Sequence, residues 1–243
     1  MRWLSPDIPV GTALVEALGR APAMQAIADA FREGPAHLGL LGLRASACTV
    51  AAAYLARRAV EEKRGPLVYL IPDASSLEDA REDFAFLLGS EHITHFPESG
   101  ALPYGQQIPP ASIRAARIET LARLALEDEG VWVVLTTPEA LFRRIPHRRH
   151  FSRFLRRVRV GEQLEMNDLM ELLVRMGYQA ETLVGEYGDF SQRGGIVDVY
   201  TYGRVNPVRI EFDDNEIVSL REFDVFTQRS LAVLSDLMIL PLW

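Results

Sequence analysis

The sequence holds one cysteine, Cys48, and one lysine, Lys63, in 243 residues. A single thiol closes no internal disulfide and forms no Cys-rich metal set. No run approaches the roughly 18 apolar residues that suggest a membrane-spanning helix. The N-terminal MRWLSPDIPVG breaks at Pro6 and Pro9 before any apolar stretch of signal-peptide length. These absences exclude a disulfide scaffold and a helical membrane protein, and they make the cytoplasm the expected compartment. Internal repeats and low-complexity tracts are missing as well. What is present is ordinary for a globular chain, with 48% hydrophobic and 24% charged residues. The length fits one large or two modest domains.

Charge is unevenly placed. Residues 141–160 hold eight Arg and no acid, whereas the segments before and after are acidic, within a total of −7. A general nucleic-acid binder is usually basic over a whole face or domain. Here one Arg-rich seam, 143–159, lies between two acidic regions. Its expected role is a solvated or internally paired domain boundary, with phosphate contact as the competing reading.

Up to about residue 150 the pattern alternates between helices and strands. Residues 22–34 read as a helix, with Pro22 at its start and Gly34 at its end. Helices are also predicted over 45–62, from Ser75 to Leu88 behind a Ser75/Glu78 capping box, and over 111–127. Short apolar runs at 37–42, 66–71, 92–96 and 131–136 read as buried parallel strands. Thr137-Pro138-Glu139 starts a further short helix. After 150 the pattern changes to a strand at 154–160, a helix capped by Asn167 and ended by Gly177, and strands at 195–200, 207–212 and 216–224. The last two flank a turn at Asp213-Asp214-Asn215. The expected fold is α/β: a P-loop-like parallel-sheet domain over 1–149, then a smaller α+β domain with an antiparallel sheet over 150–243.

The turn after 37–42 has the spacing of a phosphate loop, G-x-x-x-x-G-K-[ST]. Gly42 and Thr49 fit. Ala47 stands at the second Gly and Cys48 at the Lys, so the cation that reaches the β/γ-phosphates is missing. The octet reads either as a degenerate nucleotide loop or as a plain strand–helix turn. His92-x-x-His95 and His147-x-x-His150 lack an accompanying carboxylate or Cys set, so no metal is expected. No nucleophile accompanies Asp198 or the Asp213/Asp214 pair, so no catalytic residue is assigned.

Several pieces occur in a telling order: the degenerate loop, LPYG (102–105), VWVVLTTPEAL (131–141), GEYGDFSQRGGIVDVY (185–200) and IEFDDNEI–SLREFD (210–224). Over roughly 35–241 this resembles the N-terminal, UvrB-like region of bacterial transcription-repair coupling factors, the Mfd family. The resemblance implies a non-catalytic interaction module in nucleotide excision repair. It implies that the second domain binds UvrA, while RNA polymerase, DNA, ATP and Mg are handled by motor domains elsewhere in a longer protein. The end near Ile239-Leu240-Pro241 then reads as the polypeptide returning toward the first domain, and the chain as a fragment. The segment 96–112 is too short for the aromatic DNA-wedging hairpin of UvrB.

The family's R-G and R-x-E-F elements fall on Arg193-Gly194 and Arg209-Ile210-Glu211-Phe212, so the resemblance implies partner contacts at Arg193, Arg209, Glu211 and Phe212. Ser191 stands where a second Arg is expected, and Gln179 or Ala180 where another basic residue is. Strand alternation places Arg209 and Glu211 on one face and Val208, Ile210 and Phe212 on the other. Phe212 is therefore an exposed anchor only if the strand bulges or ends there, and otherwise core. Two other readings compete: a UvrB-like nucleotide-dependent repair enzyme, and direct DNA binding through the Arg seam.

Overall fold

The computed structural model describes residues 10–34, 39–44, 46–72, 74–100, 109–142 and 144–242. Two compact units emerge, Met1–Glu98 with Glu127–Arg144, and Ser99–Leu126 with Ile145–Trp243. The second division falls between Arg144 and Ile145. The segment 99–126 goes to the second unit, which strand–helix alternation could not indicate because two strands of the first unit flank it.

The first unit contains helices α1 (Val10–Gly19), α2 (Pro22–Glu33), α3 (Ser46–Glu61) and α4 (Leu77–Leu88), strands β1 (Leu67–Leu70), β2 (Ile93–Phe96) and β3 (Val133–Thr136), and the one-turn helix α6 (Pro138–Leu141). Gly34 ends α2 in the left-handed region at φ 71°, where its N–H donates to Phe31 O. Thr137 caps α6 by accepting from Ala140 N at 3.3 Å. The strands form a three-stranded parallel sheet in the order β1-β3-β2. The central strand, β3, is buried along its length, which accounts for its unbroken VVLT. Val15, Ala53, Ala56, Ile71, Phe84, Val133 and Leu135 form the core.

Several local expectations need correction. No strand occurs in the described part of 37–42, residues 39–42, whereas His37 and Leu38 lie outside the described residues. Two of the six residues in that run are Gly, which have no side chain to bury, and Leu41 is 97% exposed. The helix α4 begins at Leu77, after a 3-10 turn over Ala74–Ser76, so Ser75 is not its cap. The 154–160 strand begins only at Arg156, because Ser152–Phe154 forms a 3-10 turn.

The second unit contains α5 (Ala111–Ala125), α7 (Arg148–Phe151), β4 (Arg156–Arg159), α8 (Met166–Arg175), β5 (Gln179–Ala180), β6 (Asp189–Arg193), β7 (Ile196–Val199), β8 (Val208–Asp213), β9 (Glu216–Phe223), β10 (Ser230–Leu234) and β11 (Asp236–Ile239). Helix α8 starts at Met166 behind Glu165 with no side-chain cap, so Asn167 lies inside it. Six strands form one sheet in the order β10-β9-β8-β7-β6-β5, antiparallel except for the β5–β6 pair. The strand β11 pairs with β4. One face of the large sheet supplies Val197, Val199, Val208, Ile210, Phe212, Ile217 and Leu220 to a core shared with Leu169 and Leu173 of α8 and Ile118 and Ala122 of α5. The C-terminal segment is tied into that core, with Tyr178 OH donating to Leu240 O at 2.7 Å and Leu240 N donating to Thr201 Oγ1 at 3.0 Å.

Candidate partner-binding face

The opposite face of the large sheet is polar. Pairing places Ser191 against Asp198, Asp198 against Arg209, and Arg209 against Arg221. The neighbouring row runs from Arg193 through Ile196 and Glu211 to Ser219. Strand alternation alone brings Arg193, Arg209 and Glu211 to one surface from three strands.

Arg209 is the most heavily engaged of them. Its Nε donates to Asp198 Oδ1 at 2.8 Å and its Nη2 to Asp198 Oδ2 at 2.7 Å. Nη2 also donates to Gln228 Oε1 at 3.1 Å. The guanidinium carbon lies 4.6 Å from the centroid of the buried Phe223 ring. Hydrogen bonding to Asp198 raises the Arg209 pKa above its ordinary value. Both partners are well shielded, with side-chain exposures of 23% for Arg209 and 11% for Asp198. A bidentate fork on a carboxylate is the geometry for which Arg is suited. Here it is satisfied inside the chain. Asp198, which reads from the sequence as an ordinary strand residue, is its partner.

Arg193 stands differently. It is exposed at the end of β6 and makes no ion pair among the described residues. The turn after it is shaped by its glycines: Gly194 sits at φ 57°. A Cβ on Gly195 would come within 2.9 Å of the Phe212 carbonyl oxygen. Phe212 N donates to Gly195 O at 2.8 Å, so the turn lies against β8 with no room for a side chain. Glu211 is half-buried, with one carboxylate oxygen 3.8 Å from the Arg221 guanidinium.

Phe212 does not join this face. It is 9% exposed and pairs with Ile217 on the core side. The register does shift beside it, between Glu211 and Phe212. The residue absorbing that shift is Val218 on β9, which is 45% exposed, so Phe212 keeps its inward direction. The exposed-anchor expectation is corrected in favour of core.

A small recess opens between these groups, lined by Leu183, Ser191, Arg193, Ile196, Asp198, Arg209 and Gln228. Leu183 and Gln228 had no signal in the sequence reading. Both come from loops whose path depends on the finished sheet. Ser191, standing where the resemblance expects an Arg, is buried beside the ion pair.

The octet Gly42–Thr49 lies in the first unit. Gly42 is at φ 86° in a bend, Ala47 is exposed, and Cys48 is half-buried in the first turn of α3. Thr49 is buried in the first turn of α3. The LPYG segment lies outside the described residues, as does Arg143 of the Arg seam. Elsewhere in the seam, Arg156 pairs with Glu162, Arg157 Nε lies 3.6 Å from Asp236, and Arg148 donates to Ala125 O at 2.9 Å. His92 is held by Gly130 O at 2.8 Å and stacks on Trp132, with ring centroids 3.7 Å apart. Among the described residues, no group of three or more His, Cys, Asp or Glu could hold a metal, and no helix is long and apolar enough to cross a membrane.

The UvrB interaction domain family matches residues 157–242, most of the second unit. Curated relatives with similar sequences are transcription-repair-coupling factors. The protein of Bacillus subtilis is 29% identical over 89% of this chain and 18% of its own length. The Myxococcus xanthus protein is 32% identical over 73% of this chain and 15% of its own. For Escherichia coli the figures are 31%, 83% and 17%. The chain thus spans less than a fifth of the length of these relatives.

Proposed function

We propose, from the premise that this chain is a relative of the transcription-repair-coupling factors and carries a UvrB interaction domain, that its second unit is a docking module for UvrA. In this reading the module is non-catalytic. It brings UvrA to RNA polymerase stalled at DNA damage, while polymerase, DNA, ATP and Mg are engaged by other parts of a longer protein. The assignment of function to 150–243, with 1–149 as a UvrB-like companion, belongs to the same proposal, as does a cytoplasmic location.

One observation carries the reading. The family match over 157–242 coincides with the sheet whose polar face gathers Arg193, Arg209 and Glu211. Arg193 offers an uncommitted guanidinium to a partner carboxylate. Arg209, already held by Asp198, offers a fixed positive edge. Glu211 can accept from a partner donor. Phe212 supports the strand from below and makes no contact itself. The direct test is calorimetric titration of UvrA with the unaltered chain. Saturable binding is expected, and no binding up to tens of micromolar contradicts the proposal.

The octet Gly42–Thr49 is, in the same proposal, a phosphate loop without its chemistry. Cys48 cannot supply the cation, and Thr49, whose hydroxyl would face a metal in an intact loop, is buried. ATP titrated against the chain should give no saturable signal and no turnover. A micromolar dissociation constant would favour the nucleotide-dependent alternative.

A further inference from the structure

The polar face is only part of the exposed surface of the second unit. Phe226, in the loop joining β9 to β10, is 93% exposed. That loop is tightly built. Thr227 N donates to Asp224 Oδ1 at 2.7 Å, Gln228 N to Asp224 O at 2.8 Å, and Asp224 N to Arg229 O at 3.0 Å. Gln228 holds φ 57° and reaches back in two directions, its Nε2 donating to Val225 O at 2.9 Å and its Oε1 accepting from Arg209. The loop is thus fastened to the ion pair at the centre of the polar face. Beyond it lies β10, an edge strand whose five residues, SLAVL, carry no charge and no Pro, with a register shift at Leu231. Val233 is 80% exposed and pairs with Arg221, which puts it on the same face as Arg209.

Single exposed apolar residues are common and need no explanation. Here, however, an aromatic sits on a loop fastened to Arg209 through Gln228, and a valine on an uncharged edge strand lies on the same face as Arg209. Rigid exposed aromatics beside Arg have the composition of interface hot spots. We propose that Phe226 and Val233 form the apolar arm of the same docking face. The partner's footprint then runs from Arg193 on β6 across to β10. It meets a partner surface carrying a carboxylate for Arg193 and, at the far side, an apolar recess that takes the Phe226 ring. This rests on the UvrA reading above. The occupant follows from continuity through the Gln228–Arg209 bond and from the charge complement that a free Arg193 demands.

The experiment compares the 243-residue chain with its Phe226→Ala, Val233→Thr and double variants, titrating each with UvrA and recording each melting curve. Phe226→Ala is expected to weaken binding at least tenfold and Val233→Thr several-fold, with melting temperatures within about 2 °C of the unaltered chain. Threonine keeps the β-branched shape of valine, so the strand itself is retained. If the unaltered chain binds and Phe226→Ala binds equally well, the apolar arm is overturned while the UvrA reading stands. If the unaltered chain does not bind, the reading fails and the arm fails with it. A Phe226→Ala chain that binds weakly and also melts much earlier assigns Phe226 to folding and overturns the arm.

Discussion

Phe212→Ala is expected to lower the melting temperature of the second unit by roughly 10 °C, from a loss of about 3–5 kcal/mol for a buried Phe truncated to Ala. The side chain sits among Ile210, Ile217 and Leu220, in a core that also receives Leu169 and Leu173 from α8. Removing the ring leaves a cavity between sheet and helix that neither can close without moving the other. Scanning calorimetry of the variant reads this directly. A variant that melts with the unaltered chain but loses UvrA would return Phe212 to the role of exposed anchor.

Arg209→Ala should be nearly as damaging, although its position in the sequence suggests a solvated side chain. Asp198 is 7% exposed, and truncating Arg209 leaves its carboxylate without its bidentate partner. Breaking one half of a buried pair costs about 3–5 kcal/mol, and the residual exposure of Arg209 puts this pair at the lower end. Losing the contact with Phe223 and the anchor for Gln228 adds to the effect. Replacing both residues, Arg209→Met with Asp198→Leu, should recover much of that stability, because neither charge is then stranded. Urea denaturation of the three chains separates the outcomes. An Arg209→Ala chain as stable as the unaltered one would mean that water replaces the guanidinium at Asp198. The consequence for binding work is practical: weak UvrA capture by an Arg209 variant mixes interface loss with a damaged fold.

The contrast between Arg193 and Arg209 shows how far the sequence could be read. Alternation along VRIEF places Arg209 and Glu211 on the face opposite Ile210, and the sheet follows that pattern. The partner of Arg209 was hidden because it depends on register across β7 and β8. Those strands are joined by eight residues, 200–207, with no turn signature that fixes the pairing. The bulge at Val218 was equally hidden, since β9 reads as a regular strand. Among the helices, Pro22 and Gly34 marked α2 correctly because both terminal signals act locally. The strand predicted at 37–42 depended on apolar content alone, and two glycines with an exposed Leu41 do not make a buried strand in the described part. The edge strands β10 and β11 escaped notice for a related reason. SLAVL is mostly exposed, and although DLMI alternates in burial, its residue types do not alternate between polar and apolar. Leu183 and Gln228, which close the recess beside Arg193, come from loops, where local sequence carries least information about spatial neighbours.

The central claim is that the polar face of the large sheet receives UvrA, and Arg193 is where it can be tested without disturbing the fold. Its guanidinium is exposed and has no ion pair to break among the described residues. The measurement is the dissociation constant for UvrA of the Arg193→Ala chain beside that of the unaltered chain, with both melting curves recorded. Truncating one half of an interface charge pair that becomes buried costs about 2–5 kcal/mol, so binding should weaken by roughly thirtyfold or more. The two melting temperatures should coincide. Equal affinity for UvrA in the folded Arg193→Ala chain would contradict the account and place the interface on another surface.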